Sequence, residues 1–555
     1  MKPVTFPVTR KPYEELAAAK LAERDERIPK EWKIEFNPEP ANLLSLARDC
    51  GLLTEQEFEI TENYDSVGLL QEIFTGNYSA IEVTTAFCKR SAIAQQALNC
   101  LTEIFYDKAL ERAKWLDDEF KRTGKPVGPL HGLPICLKDS VNVKGYDSVV
   151  GIAAYAFQPE KENSVIVDLL EQLGAIIYVK TNVPQSMMVP DTDNNVFGVT
   201  RNPIHKEITA SGSSGGLAAL IKFRGALCGI GTDVGGSIRV PAYTHGIYAI
   251  KPSSGRLPYH NMKGYLEPGA ETVGVLCVNA PMAVSYRDCE LIMRVIADAE
   301  PWLYDPSCQY LPWIKPAPLG RPLALGIIRS DTENQTLPPV ARVLNETVDK
   351  LKTSGVDIVE LELYKAEEIS DNAVDFFTVD GGDFLVSQCE ITGEPLTKTV
   401  QNGGMYPCDK KGISEFHAYS SVRAELQRDW LKYWENTKFK TKSGKPVDAI
   451  LAPIQAFTPR PDGFLIRSHF SRTFNLLDYP GIIFPAGKVD FAKDDIDLGE
   501  PISPMDARSL STWDKSVRYR LADFPIGLHL IGQRQMEPKL FQSMDEISKI
   551  LGTTQ

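Results

Sequence analysis

The sequence predicts an α/β protein: one large domain on a large mixed, mostly parallel central sheet, with helices covering both faces. Two observations carry this. Short apolar runs without in/out alternation recur along the chain, the pattern of strands buried on both faces. Amphipathic helical segments interleave with them. No internal repeat and no obvious interior linker interrupts the 555 residues, so one large domain fits better than several small ones.

Residues 12–27, PYEELAAAKLAERDER, read as a charged surface helix with proline at its start. They belong to an N-terminal helical arm, residues 1–74, packed against a main domain of residues 75–555. Ser79 and Glu82 have the spacing of a capping box and open a long helix through AFCKRSAIAQQAL. LPICLK (133–138) reads as a strand, NSVIVDLLEQLG (163–174) as a helix and AIIYVKT (175–181) as a strand. LAALIKFRG is a helix and ALCGIGT a strand. Further strands are LALGII (323–328), VDIVEL (356–361), DAILAPI (448–454), PGIIFPAG (480–487) and IGLHLIG (526–532). Residues 365–445 are more helical and polar and are placed as a cap over a cleft.

Composition narrows the function classes. A net charge of −13 argues against nucleic acid or an anionic membrane as partner. No apolar run reaches the length of a membrane span. MKPVTFPVTRKPYEELAAAK has no apolar core of a signal peptide and LGTTQ matches no address signal, so a cytoplasmic location is expected. Ten scattered cysteines without a CxxC pair suggest neither a zinc site nor a disulfide framework. They read as inert thiols, and no metal or cofactor is expected.

Three segments could carry chemistry. Lys138 ends the apolar strand of HGLPICLKDS. Taken alone it fits a surface cation at a strand tip. Buried, it would lose charge to desolvation and could act as a general base. Gly212-Ser213-Ser214-Gly215-Gly216 fits G-x-S-x-G with Ser214 central, the pattern of a nucleophile elbow. That reading needs a strand before it, and RNPIHKEITA is a poor one. It also needs a histidine, and His245, His260, His417, His469 and His529 stand in no telling context. Gly231 to Arg239, GTDVGGSIR, lacks the Lys-Ser/Thr end of a phosphate loop. A strand running into such a turn instead offers successive N–H groups to an oxyanion and a serine to attack. Read together, a serine nucleophile, a second serine as relay and a lysine base supply what no histidine does. Glycines would let the backbone approach substrate, and the helix and strand between the turns would mount both in one core.

These segments resemble the amidase signature family. SGSSGGLAALIKFRGALCGIGTDVGGSIRVPA (211–242), GLPICLKD, KTNVPQSMM (180–188) and KPSSGRLP (251–258) match it in order, over about residues 75–540. The arm with IPKEWK and the run PVGPLHGLPICLKD are most similar to the fungal acetamidase and general amidase branch. The resemblance implies an amidase that releases ammonia or an amine from a small-molecule amide through an acyl-enzyme on Ser237. Esterase or carbamate hydrolase activity at the same site, or a non-catalytic scaffold, are the alternatives. Ser213, on a cis peptide, would relay protons to Lys138. Val234, Gly235, Gly236 and Ser237 would supply the oxyanion hole, and Met187 would lie beside the substrate. Ser214, Asp233 and Arg239 would hold the turns. The resemblance also implies a homodimer. Three positions depart from the family pattern: Leu217 where Glu is usual, Ser211 where Gly is usual, and Ser140 where Gln or Asn is common.

Overall fold

Eleven strands join in one sheet in a computed structural model that describes residues 11–264, 266–270, 273–403 and 405–553. The first ten residues, on which the expectation about a signal peptide rests, lie outside the described residues, as does the very end of LGTTQ. In chain order the strands are β1 Leu101–Ile104, β2 Pro134–Lys138, β3 Ile176–Thr181, β4 Cys228–Asp233, β5 Tyr248–Lys251 and β6 Val278–Ala283. β7 Ala324–Ile328, β8 Asp357–Leu361, β9 Ala449–Ala452, β10 Gly481–Lys488 and β11 Pro525–Ile531 complete the set. Their order across the sheet is β1-β3-β2-β4-β6-β5-β10-β11-β9-β7-β8.

The sheet is mixed, but the expected parallel majority is not observed. Parallel ladders join β3, β2 and β4 on one side and β9, β7 and β8 on the other. The middle of the sheet, and β1 on its edge, is antiparallel. The physical reason is coverage. β4, β6 and the first half of β10 are buried on both faces, so they lose the alternation that normally marks an antiparallel strand. β1, β5 and β6 were not legible as strands. LTEI carries two polar residues, YAIK is short, and VNAPMA has a proline that donates nothing to its ladder.

Local signals place the helices well. Ser79 Oγ accepts from the Glu82 N–H, and the Glu82 carboxylate accepts from the Ser79 N–H at 2.8 Å, capping the Ala80–Leu98 helix. Among the described residues, no helix is long and apolar enough to cross a membrane. Leu43, Ile60, Leu69, Leu70 and Ile73, upstream of residue 75, share one apolar core with the sheet. A second core joins Trp430 and Trp434 to the His469–Leu476 helix and reaches Val234 and Phe377.

A buried ion cluster ties down the first helix, Tyr13–Glu26. Lys20 is 2% exposed and meets Asp147 at 2.7 Å and Glu23 at 2.8 Å, and also pairs with Glu103. Burial alone would lower the Lys20 pKa, yet Glu103 and Asp147 outweigh it and hold the ammonium. Lys20→Ala strands buried carboxylates without their cation. It should cost about 3 kcal/mol, read as a lower urea midpoint at unchanged slope.

Candidate active site

The carboxyl ends of adjacent parallel strands bring two of the three candidate segments together. β2 and β4 pair Cys136 with Gly229 and Leu137 with Ile230, so Lys138 and Thr232 finish side by side, where α/β sheets commonly carry their sites. Gly229 is required here: a Cβ would lie 2.5 Å from Cys136 Sγ and 2.6 Å from Leu217 Cδ1. The Gly215–Lys222 helix therefore seats Leu217 directly on β4, and its N-terminal end presents Ser213 and Ser214.

Lys138 is fully buried. Its Nζ lies 2.7 Å from Ser213 Oγ and 2.7 Å from Thr232 Oγ1, and among the described residues no carboxylate forms an ion pair with it. Burial pushes its pKa down to about 8, against weaker opposing influences from Cys277, Asp233 and Asp139. The lysine is thus poised to lose its proton near neutral pH. The surface-cation reading does not hold. The Gly212–Ser213 peptide is cis.

The second turn is organised by Asp233. Its carboxylate accepts from Arg239 Nε at 2.9 Å and Nη2 at 3.0 Å, and from Asn475 Nδ2 at 2.8 Å. It also accepts from the backbone N–H groups of Gly236 at 2.9 Å and Ile238 at 3.2 Å. Burial would raise its pKa, but the Arg239 charge and these donors hold it far below the usual carboxylate range. Arg239 Nη2 also donates to the Ser471 carbonyl at 3.0 Å. Gly236 sits at φ +119° with Ser471 Cβ 3.0 Å from where its own Cβ would be, so only glycine fits. The Ser214 N–H donates to the Ser237 carbonyl at 3.1 Å, which locks the two Ser/Gly turns together.

Two cavities meet at Ser237. A small one, about 30 Å³, is lined by Ser213, Thr232, Ser237, Met187 and Cys277 among others. A larger one, about 290 Å³, opens from Val234, Gly235, Gly236 and Ser237 past Met187 towards Phe377 and Met405. Met187 has φ +60° and borders both cavities.

The Ser214 elbow finds no support. No strand precedes it, its Oγ is buried without a hydrogen-bond partner, and among the described residues no histidine side chain bonds a serine hydroxyl. Ser214 acts on the turns through its backbone only. The departures also have a place. Ser211 holds φ +59°, a conformation glycine adopts freely, and its carbonyl accepts from Thr192 Oγ1 at 2.6 Å. Leu217 is wholly buried, and Ser140 Oγ is buried and unpartnered. Thr232, Asn475 and Ser471 escaped sequence reasoning. Thr232 lay inside a quoted motif, but the other two had no local signal.

The sequence profile described as Amidase matches residues 82–541. The chain belongs to the amidase family. It is 34% identical to an acetamidase of Emericella nidulans over 552 residues, covering 97% of this chain and 98% of that one. It is also 34% identical to an amidase of Gibberella moniliformis, with 97% and 99% covered. The solved structure of a fatty acid amide hydrolase superposes with a TM-score of 0.88 at 29% identity, covering 98% of each chain. This amidase-family protein is a hydrolase acting on amide C–N bonds.

For this amidase, Asp233→Asn removes the carboxylate opposite a fully buried Arg239 and should cost about 3 to 5 kcal/mol in urea unfolding. Because the Asp233 pKa is depressed in the folded state, its contribution is complete above the unfolded value of about 3.9 and drains away below it. The gap between wild type and variant should therefore narrow in strong acid.

Proposed function

We propose that the enzyme hydrolyses a small-molecule carboxamide through an acyl-enzyme on Ser237, with Ser213 and Lys138 moving the protons. The observation that carries this reading is the 2.7 Å contact between Ser213 Oγ and a buried Lys138 Nζ with no paired carboxylate. As an amine, Nζ has one lone pair to accept the Ser213 proton while an N–H holds Thr232. Ser237 Oγ then attacks the carbonyl carbon and gives its proton to Ser213. The carbonyl π pair moves onto oxygen, which the N–H groups of Val234, Gly235 and Ser237 receive. The Gly236 N–H is engaged by Asp233 and braces the turn instead.

Collapse of the tetrahedral intermediate breaks the C–N bond. The leaving nitrogen takes the proton back along the same relay and departs as ammonia or an amine. Water repeats the sequence on the ester and frees the carboxylate. The small cavity beside Ser213 and Ser237 has room for about one water, which suits that second step.

Three measurements test this reading. The rate should rise with pH through about 8 as the Lys138 ammonium loses its proton, then level off; a profile flat from mildly acid to alkaline pH contradicts it. Lys138→Met should lower kcat by at least about a hundredfold. A fluorophosphonate probe should label the wild type and Ser214→Ala, and fail on Ser237→Ala. Labelling that survives in Ser237→Ala overturns the assignment, and an unlabelled wild type favours a non-catalytic scaffold.

A further inference from the structure

Three arginines, Arg467, Arg472 and Arg508, line the larger cavity, and no aspartate or glutamate does. This is a local inversion in a chain of net charge −13. Among the described residues none of the three guanidinium groups makes an ion pair or a hydrogen bond. Their position in the cavity is graded. Arg472 is half-buried, with its Cγ 3.8 Å from where a Gly235 Cβ would stand, so it flanks the turn that precedes Ser237. Arg467 and Arg508 are exposed. The apolar side chains of Val240, Met405, Leu465 and Ile466 line the same cavity.

The carboxylates whose charge reaches Arg472 are those of Glu333, Asp331 and Asp371, and none forms an ion pair with it. Asp331 and Glu333 instead flank His469, at 3.3 and 3.2 Å. Burial and the neighbouring Arg467 charge push the Arg472 pKa down to about 10, so the group remains a cation at neutral pH. A desolvated guanidinium without a counter-ion is costly unless an anion meets it.

Which part of the substrate lies there follows from the site. Ser213, the relay to the leaving nitrogen, lines the small cavity and not the large one. The large cavity, bordered by the oxyanion turn and Ser237, therefore receives the acyl chain.

Building on the amidase reading above, we propose that the preferred substrate is an amide whose acyl chain ends in a carboxylate, held by the arginines Arg467, Arg472 and Arg508 while the apolar lining of the same cavity takes its methylenes. Arginine suits this role because its planar fork meets a carboxylate with two parallel hydrogen bonds. An excess of cations at the cavity also draws such an anion towards an otherwise acidic protein.

The test is a set of matched pairs: the monoamides of succinic, glutaric and adipic acid, each against the neutral primary amide of equal chain length. The readout is the ratio of kcat/KM within a pair, for wild type and for R467Q, R472Q and R508Q. Wild type should favour the charged member by about tenfold at one or more chain lengths. The ratio should fall in the variants, and also with rising salt in wild type. A ratio at or below one at every length, or one that no variant lowers, overturns the proposal. An enzyme that hydrolyses none of these amides and resists the fluorophosphonate probe removes the amidase reading instead. The anion subsite is then judged by binding alone. Adipate should raise the Tm of wild type above the effect of neutral adipamide, and should not do so in the R467Q R472Q double variant. Equal shifts from both compounds overturn the subsite.

Discussion

Lys138 is buried without a counter-ion, and much of the site follows from that constraint. An ammonium in this position would need a carboxylate beside it, because an isolated charge in the core is too costly to keep. The fold offers two hydroxyls instead, from Ser213 and Thr232. Neutral oxygens satisfy an amine well and an ammonium poorly. The cost of burial is thus transferred into a lowered pKa, and a residue that would be a cation in water is shifted towards its neutral amine. The parallel register of β2 and β4 fixes Thr232 against it, and the helix seated on β4 delivers Ser213 from the other side.

One residue further along β4 the same depth of burial is handled in the opposite way. Asp233 keeps its charge because Arg239, Asn475 and backbone N–H groups surround it. Asp233 still acts on Lys138 and opposes the loss of its proton, but burial of the lysine outweighs it. Desolvation is thus why a lysine of lowered pKa coexists with a carboxylate adjacent in sequence to Thr232. The two charged groups of GTDVGGSIR thus hold the turn through their mutual ion pair and the bonds to its backbone N–H groups.

The parts legible in the sequence are those encoded within short windows. Lys138, Ser213 and Ser237 each sit in a dense local motif, and eight of the eleven strands announce themselves as apolar runs. What was not legible depends on pairing across the fold. Asn475 and Ser471 reach the catalytic turn from a helix more than two hundred residues away. Arg472 faces the cavity only because that same helix, His469–Leu476, packs beside Gly235. Strand direction was misjudged for a related reason: burial on both faces erases the alternation that would have separated antiparallel from parallel neighbours.

Leu217 connects these threads. The resemblance leads one to expect a glutamate there, and a buried carboxylate beside β4 would demand hydrogen-bond donors. Leucine fills the same space with methyl groups against Gly229 and Gly231. Ser214 Oγ, which the glutamate could have engaged, is left without a partner, a modest cost for a hydroxyl. The position expected to be polar thus serves packing between its helix and β4, and the charge recognition proposed for this enzyme rests with the arginines that line its larger cavity.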